Sequence, residues 1–199
     1  MLIQRAGTGT IPPPKFIRPQ FEALSKGWEE QYAAISSHSL GETVTIEPTI
    51  VTIGHDDLEA DDDAVPFHPA HEFGWDNENP RRTLKTPQFK ISWRPVTNAE
   101  YYAHWSDPAK NQGGGKVSMP ASWTEVDGKI HVRTLYGPID FNLAKYWPVQ
   151  ATYDDLSIYA KSKGGRIPTI AELAAFTERY ETGLTGQANV GFKNWHPIP

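Results

Sequence analysis

No cysteine occurs among the 199 residues, and that absence excludes disulfide staples, thiolate metal sites and a cysteine nucleophile. A reducing, cytoplasmic setting is compatible with it. No apolar run approaches the roughly 18–20 residues that span a bilayer, and the stretch from Met1 to Arg5 is too short and polar for the core of an export signal. Positive charge is also scarce. Nineteen Lys and Arg against 24 Asp and Glu give a formal net charge of -5, with no basic stripe to neutralise a run of phosphates, so nucleic acid is not an expected partner. The Gly-x-Ser-x-Gly elbow of serine hydrolases is missing. The run from Gly113 to Ser118 lacks the upstream glycine and the Gly-Lys-Ser/Thr contiguity of a phosphate loop, and no solenoid-type repeat is present.

What the chain has in quantity is proline (17), glycine (16) and tryptophan (7), a composition that predicts an irregular, turn-rich α+β domain with an aromatic core rather than a helix bundle. Residues from Gly7 to Pro14 read as an extended tether. Phe21, Leu24, Trp28 and Tyr32 recur at helical spacing and predict an amphipathic helix. Thr43 to Ile53 is β-branched and broken at Pro48, which predicts a bent or edge strand pair. Phe89, Ile91 and Trp93 alternate as one face of a further strand, and Ile130 and Val132 suggest another. Capping patterns at Thr97/Glu100, Thr152/Asp155 and Thr169/Glu172 predict three helix starts. The last two helices are joined by Gly165-Arg166-Ile167-Pro168. The buried stripe of the final one is expected to be Leu173, Phe176 and Tyr180. The glycines from Asn111 to Lys116 read as a flexible loop.

Candidate chemistry is sparse. Six carboxylates between Asp56 and Asp63 (Asp56, Asp57, Glu59, Asp61, Asp62, Asp63) offer hard oxygen ligands, but Asp62 stands where a calcium loop needs glycine and His68 where it needs glutamate. The run reads as a solvated loop of repelling charges. His55, His68, His71 and Glu72 supply imidazole and carboxylate groups of the kind that hold non-haem iron. Pro69 prevents a helical pairing of His68 with His71, and nothing fixes the ring orientations, so no high-affinity metal site is expected here. Arg166, between two helix ends, reads as a structural group bonding backbone carbonyls, together with Thr169 and Glu172.

Two separated segments resemble a known family. Phe89-Lys-Ile-Ser-Trp-Arg-Pro-Val-Thr-Asn-Ala-Glu-Tyr101, followed by Trp147-Pro-Val149, Tyr153, Ala160, Gly164-Gly-Arg-Ile-Pro-Thr169 and Glu172, resembles the signature of sulfatase-modifying-factor, or formylglycine-generating-enzyme-like, domains. Gly54-His-Asp-Asp57 with Glu59, Phe73-Gly-Trp-Asp-Asn-Glu78 with Pro80, Tyr136-Gly-Pro138 and Asn189 through Pro197 are similar to the branch of fungal proteins that make the sulfoxide precursor of ergothioneine. The resemblance implies an α+β, C-type-lectin-like fold with paired helices flanking a small twisted sheet, incomplete at the C-terminus. It implies residues 1–18 as a linker from an upstream helix bundle and residues 19–199 as the N-terminal part of the domain.

It further implies part of a non-haem iron(II)- and oxygen-dependent sulfoxide synthase that joins a cysteine donor to hercynine. In that branch a DinB-like helix bundle of the same polypeptide, preceded by a methyltransferase domain, carries three iron-binding histidines. None of these lies in this sequence, and family residues that touch substrate follow the Trp-His-Pro stretch. No catalytic, cofactor-binding or metal residue is therefore nominated. The isolated chain is expected to be inactive and to expose an unpaired sheet edge and apolar surface. The absence of cysteine is at odds with formylglycine generation itself. The alternative is a non-catalytic lectin-like binding or scaffold module.

Overall fold

The computed structural model describes residues 17–36, 43–57, 74–180, 194 and 196–198. Two compact units emerge, each assembled from separated stretches: residues 1–42, 94–167 and 184–199 in the first, residues 43–93 and 168–183 in the second.

The first unit is built on aromatic rings. Helix α1 (Phe21–Ser36) opens where the Gln20 carbonyl accepts from Ala23 and Leu24. It buries Phe21, Trp28 and Tyr32, whereas Leu24, expected on the same stripe, is 38% exposed. Helix α2 (Asn98–Trp105) begins at the anticipated capping box: the Glu100 amide donates to the Thr97 hydroxyl at 3.3 Å, and the Thr97 amide donates to the Glu100 carboxylate at 2.9 Å. A three-stranded antiparallel meander follows, β5 (Trp123–Val126), β6 (Lys129–Thr134) and β7 (Gly137–Asp140). Its first turn, Asp127-Gly128, has positive φ at both residues (51° and 73°), the backbone twist that a two-residue hairpin demands. Helix α3 (Tyr153–Ser162) is capped by Thr152, whose hydroxyl accepts from the Asp155 amide at 3.1 Å. Phe21, Trp28, Tyr101, Trp123, Val132, Ile139, Trp147 and Tyr159 form its core.

The glycine run is not a free loop. Asn111 ties it down by donating to the Trp105 carbonyl at 2.9 Å and accepting from the Val117 amide at 2.6 Å. A side chain at Gly115 would meet the Lys110 carbonyl at 2.9 Å.

The second unit is a long ribbon under one helix. Strands β1 (Thr43–Ile46) and β4 (Phe89–Ser92) pair antiparallel, as do β2 (Thr49–Ile53) and β3 (Arg82–Thr86). The strand expected at Phe89 and Ile91 is β4, and a separate strand, β3, precedes it across Pro87. Both ladders share one register, so Pro48 stands opposite Pro87 and neither can donate a rung. Glu47 stands opposite Gln88, whose amide donates to both Glu47 carboxylate oxygens at 3.0 and 3.1 Å.

Across this break the buried parity switches, from Val44 and Ile46 to Val51 and Ile53. Helix α4 (Ile170–Tyr180) covers the ribbon with Ala171, Ala174, Ala175 and Phe176. The expected stripe is therefore corrected: Leu173 is 51% and Tyr180 46% exposed, because small alanine side chains let the helix backbone approach the strands. The two C-terminal helices, expected as a pair on one sheet, serve different cores.

Candidate functional site

The parts of the two signature segments that lie in the first unit are joined there by backbone bonds. The amides of Asn98 and Ala99 donate to the carbonyls of Trp147 and Lys145, and the Val149 amide donates to the Val96 carbonyl, each at 2.9 Å. Asn98, almost fully buried, uses both ends of its amide: Nδ2 donates to the Ala144 carbonyl and Oδ1 accepts from the Trp123 indole Nε1, each at 2.9 Å. In the sequence Asn98 stands out only as a letter of the family signature. Its partners are 25 and 46 positions away, beyond any local pattern.

Beside it, Arg94 makes two 2.8 Å bonds to the Glu100 carboxylate. Burial would raise the Glu100 carboxyl, but bonds from Arg94 and Thr97 outweigh it and hold the group below the usual glutamate range. The same carboxylate hydrogen-bonds Arg94 and pushes its guanidinium up. Burial, helped by the Glu100 charge, pushes the Tyr159 phenol up to about 12. Burial likewise raises Tyr101, whose hydroxyl donates to the Ser118 carbonyl at 3.0 Å. These phenols stay neutral across the physiological range and act as packing groups.

A cavity of about 20 Å³ is lined by Asn98, Ser122, Arg133, Thr134, Trp147 and His196 among others. That is room for about one water molecule, and no metabolite fits. In the second unit an open groove of about 380 Å³ lies at the proline break, between Ile50 and Lys85. It is lined by Pro48, Thr49, Ile50, Lys85, Thr86 and Pro87.

His104 is buried, with Nε2 2.9 Å from the Gly115 carbonyl and Nδ1 3.4 Å from the Ser162 hydroxyl. It is a bridging group of the core. His196 stacks on Trp147 and meets Phe21 and Trp28 edge-on or tilted. Among the described residues no three His, Asp or Glu side chains gather as a metal ion requires. His55 is described, whereas His68, His71 and Glu72 lie outside the described residues.

The acidic run is corrected at its start. Asp56 accepts from the Arg81 amide at 3.0 Å, and Asp57 accepts from the Gly74 amide at 2.9 Å. Both anchor the 74–81 segment, Asp57 from a half-buried position and Asp56 while remaining solvated; Glu59, Asp61, Asp62 and Asp63 lie outside the described residues. Gly54 (φ 83°) is required here, since a side chain would strike the Glu78 carbonyl. Two of the fungal-type segments, 54–57 and 74–80, are thereby brought together. Arg166 is exposed and donates to the Ile167 carbonyl at 3.1 Å. Thr169 and Glu172 form the reciprocal cap of α4, at 2.8 and 3.2 Å.

Comparison with known proteins accords with the motifs. The family model described as the sulfatase-modifying factor enzyme 1-like domain matches residues 31–195. A protein of Schizosaccharomyces pombe called ergothioneine biosynthesis protein 1 is 38% identical over 135 residues, 63% of this chain and 17% of its own length. The protein of that name from Neurospora crassa is 32% identical over 190 residues, 82% of this chain and 20% of its own. Hercynine oxygenase of Mycolicibacterium thermoresistibile is 32% identical over 115 residues, 50% of this chain and 24% of its own. The chain spans about a fifth of the length of these relatives.

Proposed function

We propose that this chain, which belongs to the sulfatase-modifying factor enzyme 1-like domain family, is one part of a larger ergothioneine-pathway sulfoxide synthase. In that reaction the C–H of the hercynine imidazole and the S–H of a cysteine donor are replaced by a C–S bond, and dioxygen supplies the sulfoxide oxygen while its other atom leaves as water. Iron(II) would supply the oxygen chemistry. The described residues offer no fitting ligand set, so no step is assigned to the metal in this chain. The reading gives iron binding to a helix bundle elsewhere in the polypeptide, and gives this domain a wall of the substrate site in the cytoplasm.

The observation that carries the proposal is the joining of the two family segments by the backbone bonds of Asn98 to Trp147 and of Val149 to Val96, beside the buried Asn98 side-chain bridge. The matching residues are thus spent on a rigid scaffold, and the 20 Å³ cavity beside them holds no substrate. A C-type-lectin-like arrangement belongs to the same proposal. The small cavity also favours a second reading, a non-catalytic lectin-like module.

An oxygen-dependent assay with hercynine, a cysteine donor and iron(II) separates them. The complete polypeptide should yield sulfoxide and the 199-residue chain none. Turnover by the short chain would refute the assignment of the chemistry to other segments, and an inert complete polypeptide would favour the module.

A further inference from the structure

Helix α4 has two apolar faces, and among the described residues only one is packed. Alanines and Phe176 meet the ribbon, while Ile170 (72% exposed) and Leu173 (51%) lie on the opposite side and Tyr180 (46%) is exposed beside the Phe176 ring. With Thr177, they fall at i, i+3, i+7 and i+10, the narrow seam along which one helix packs on another. The spacing is that of a helix-docking seam.

The size of the seam selects the occupant. An 11-residue helix is about 16 Å long, and three side chains offer on the order of a few hundred Å². Free association of two chains needs roughly 1,200–2,000 Å² in total. A seam this short holds a partner only when that partner is tethered, because a covalent link raises its effective concentration to about the millimolar range. The relatives carry about four-fifths of their length outside the matched region.

We propose that the outer face of α4 is the seat of an amphipathic helix from the same polypeptide, outside these 199 residues. This rests on the reading that the chain is part of a larger protein, and it adds the contact surface.

The lack of cysteine makes thiol labelling a direct test. Leu173→Cys is compared with Tyr153→Cys, an exposed site on the other unit, by maleimide labelling read by peptide mass. In the 199-residue chain both thiols should react at similar rates. In the complete polypeptide the thiol at 173 should slow at least about tenfold while that at 153 is unchanged. Equal rates at 173 in both proteins overturn the proposal, and so does protection in the short chain that rises with concentration, the mark of a second copy. Sulfoxide formation measured on the same complete polypeptide keeps the two readings apart: protection without turnover sinks the enzymatic reading alone, and turnover without protection sinks the docking proposal alone.

Discussion

The aromatic unit and the ribbon unit solve the same packing problem in opposite ways. In the first, rings meet edge to face, as Tyr101 and Trp123 do at 5.8 Å and Phe21 and Trp147 do at 5.8 Å. Large rings with polar tips need partners when buried, so this core is specified by polar anchors such as Asn98 and His104. In the second, Ile46, Val51 and Ala175 carry no polar atoms on their side chains. Its uniqueness comes from register, held across the proline break by the Glu47 and Gln88 pair. One core should therefore be sensitive to lost hydrogen bonds and the other to volume.

The largest effect should follow Asn98→Leu. It strands the buried Trp123 indole N–H and the Ala144 carbonyl, at roughly 1–3 kcal/mol for each orphaned group. The urea midpoint should fall by the equivalent of about 3 kcal/mol with loss of near-ultraviolet dichroism from the aromatic cluster. A loss under about 1 kcal/mol would mean that packing, not the bridge, specifies the core. The converse test is Ala175→Leu, which overfills the contact between α4 and β2 at about 1–3 kcal/mol. A neutral result in thermal melts would show that the helix stands off the strands.

Next comes the Glu100 cap. Its folded-state pKa lies below the ordinary value of 4.5, so it contributes stability that is fully present above that value and is lost as pH falls through the lower folded value. The difference in melting temperature between the parent and Glu100→Gln should be largest near neutrality and shrink below about pH 4.5. A pH-independent difference would remove the Arg94 pairing as its cause.

How far these contrasts could be read beforehand depends on distance along the chain. The caps at Thr97, Thr152 and Thr169 were legible because each is closed by a residue three positions on. The Asp127-Gly128 hairpin was equally local and was passed over, although Asp-Gly between β-forming residues is its usual signal. Leu173 and Tyr180 were placed inside because large apolar side chains usually go there. The choice fell instead to alanines, which permit closer approach to strands that lie far away in sequence. Asp56 and Asp57 looked like repelling charges because their partners, Arg81 and Gly74, are 25 and 17 residues away. Asn98 failed to announce itself for the same reason.

The smallest effect should come from the column that pins α1. Lys145 Nζ lies 2.6 Å from the Glu29 carboxylate and 4.9 Å from the centre of the Tyr146 ring, which stacks on Tyr32 at 4.0 Å. The hydrogen bond to Glu29 pushes the Lys145 ammonium up, against the opposing pull of burial. Yet Glu29 is half exposed, and exposed pairs are worth about 0–1 kcal/mol once screening and side-chain entropy are included. Lys145 also keeps its ring contact when Glu29 is neutralised. A double-mutant cycle with Glu29→Gln and Lys145→Met should therefore give a coupling below about 1 kcal/mol that shrinks further in high salt. A salt-insensitive coupling above about 2 kcal/mol would instead make charge the clamp on α1 and end the contrast drawn here, in which rings and buried amides hold the aromatic unit together.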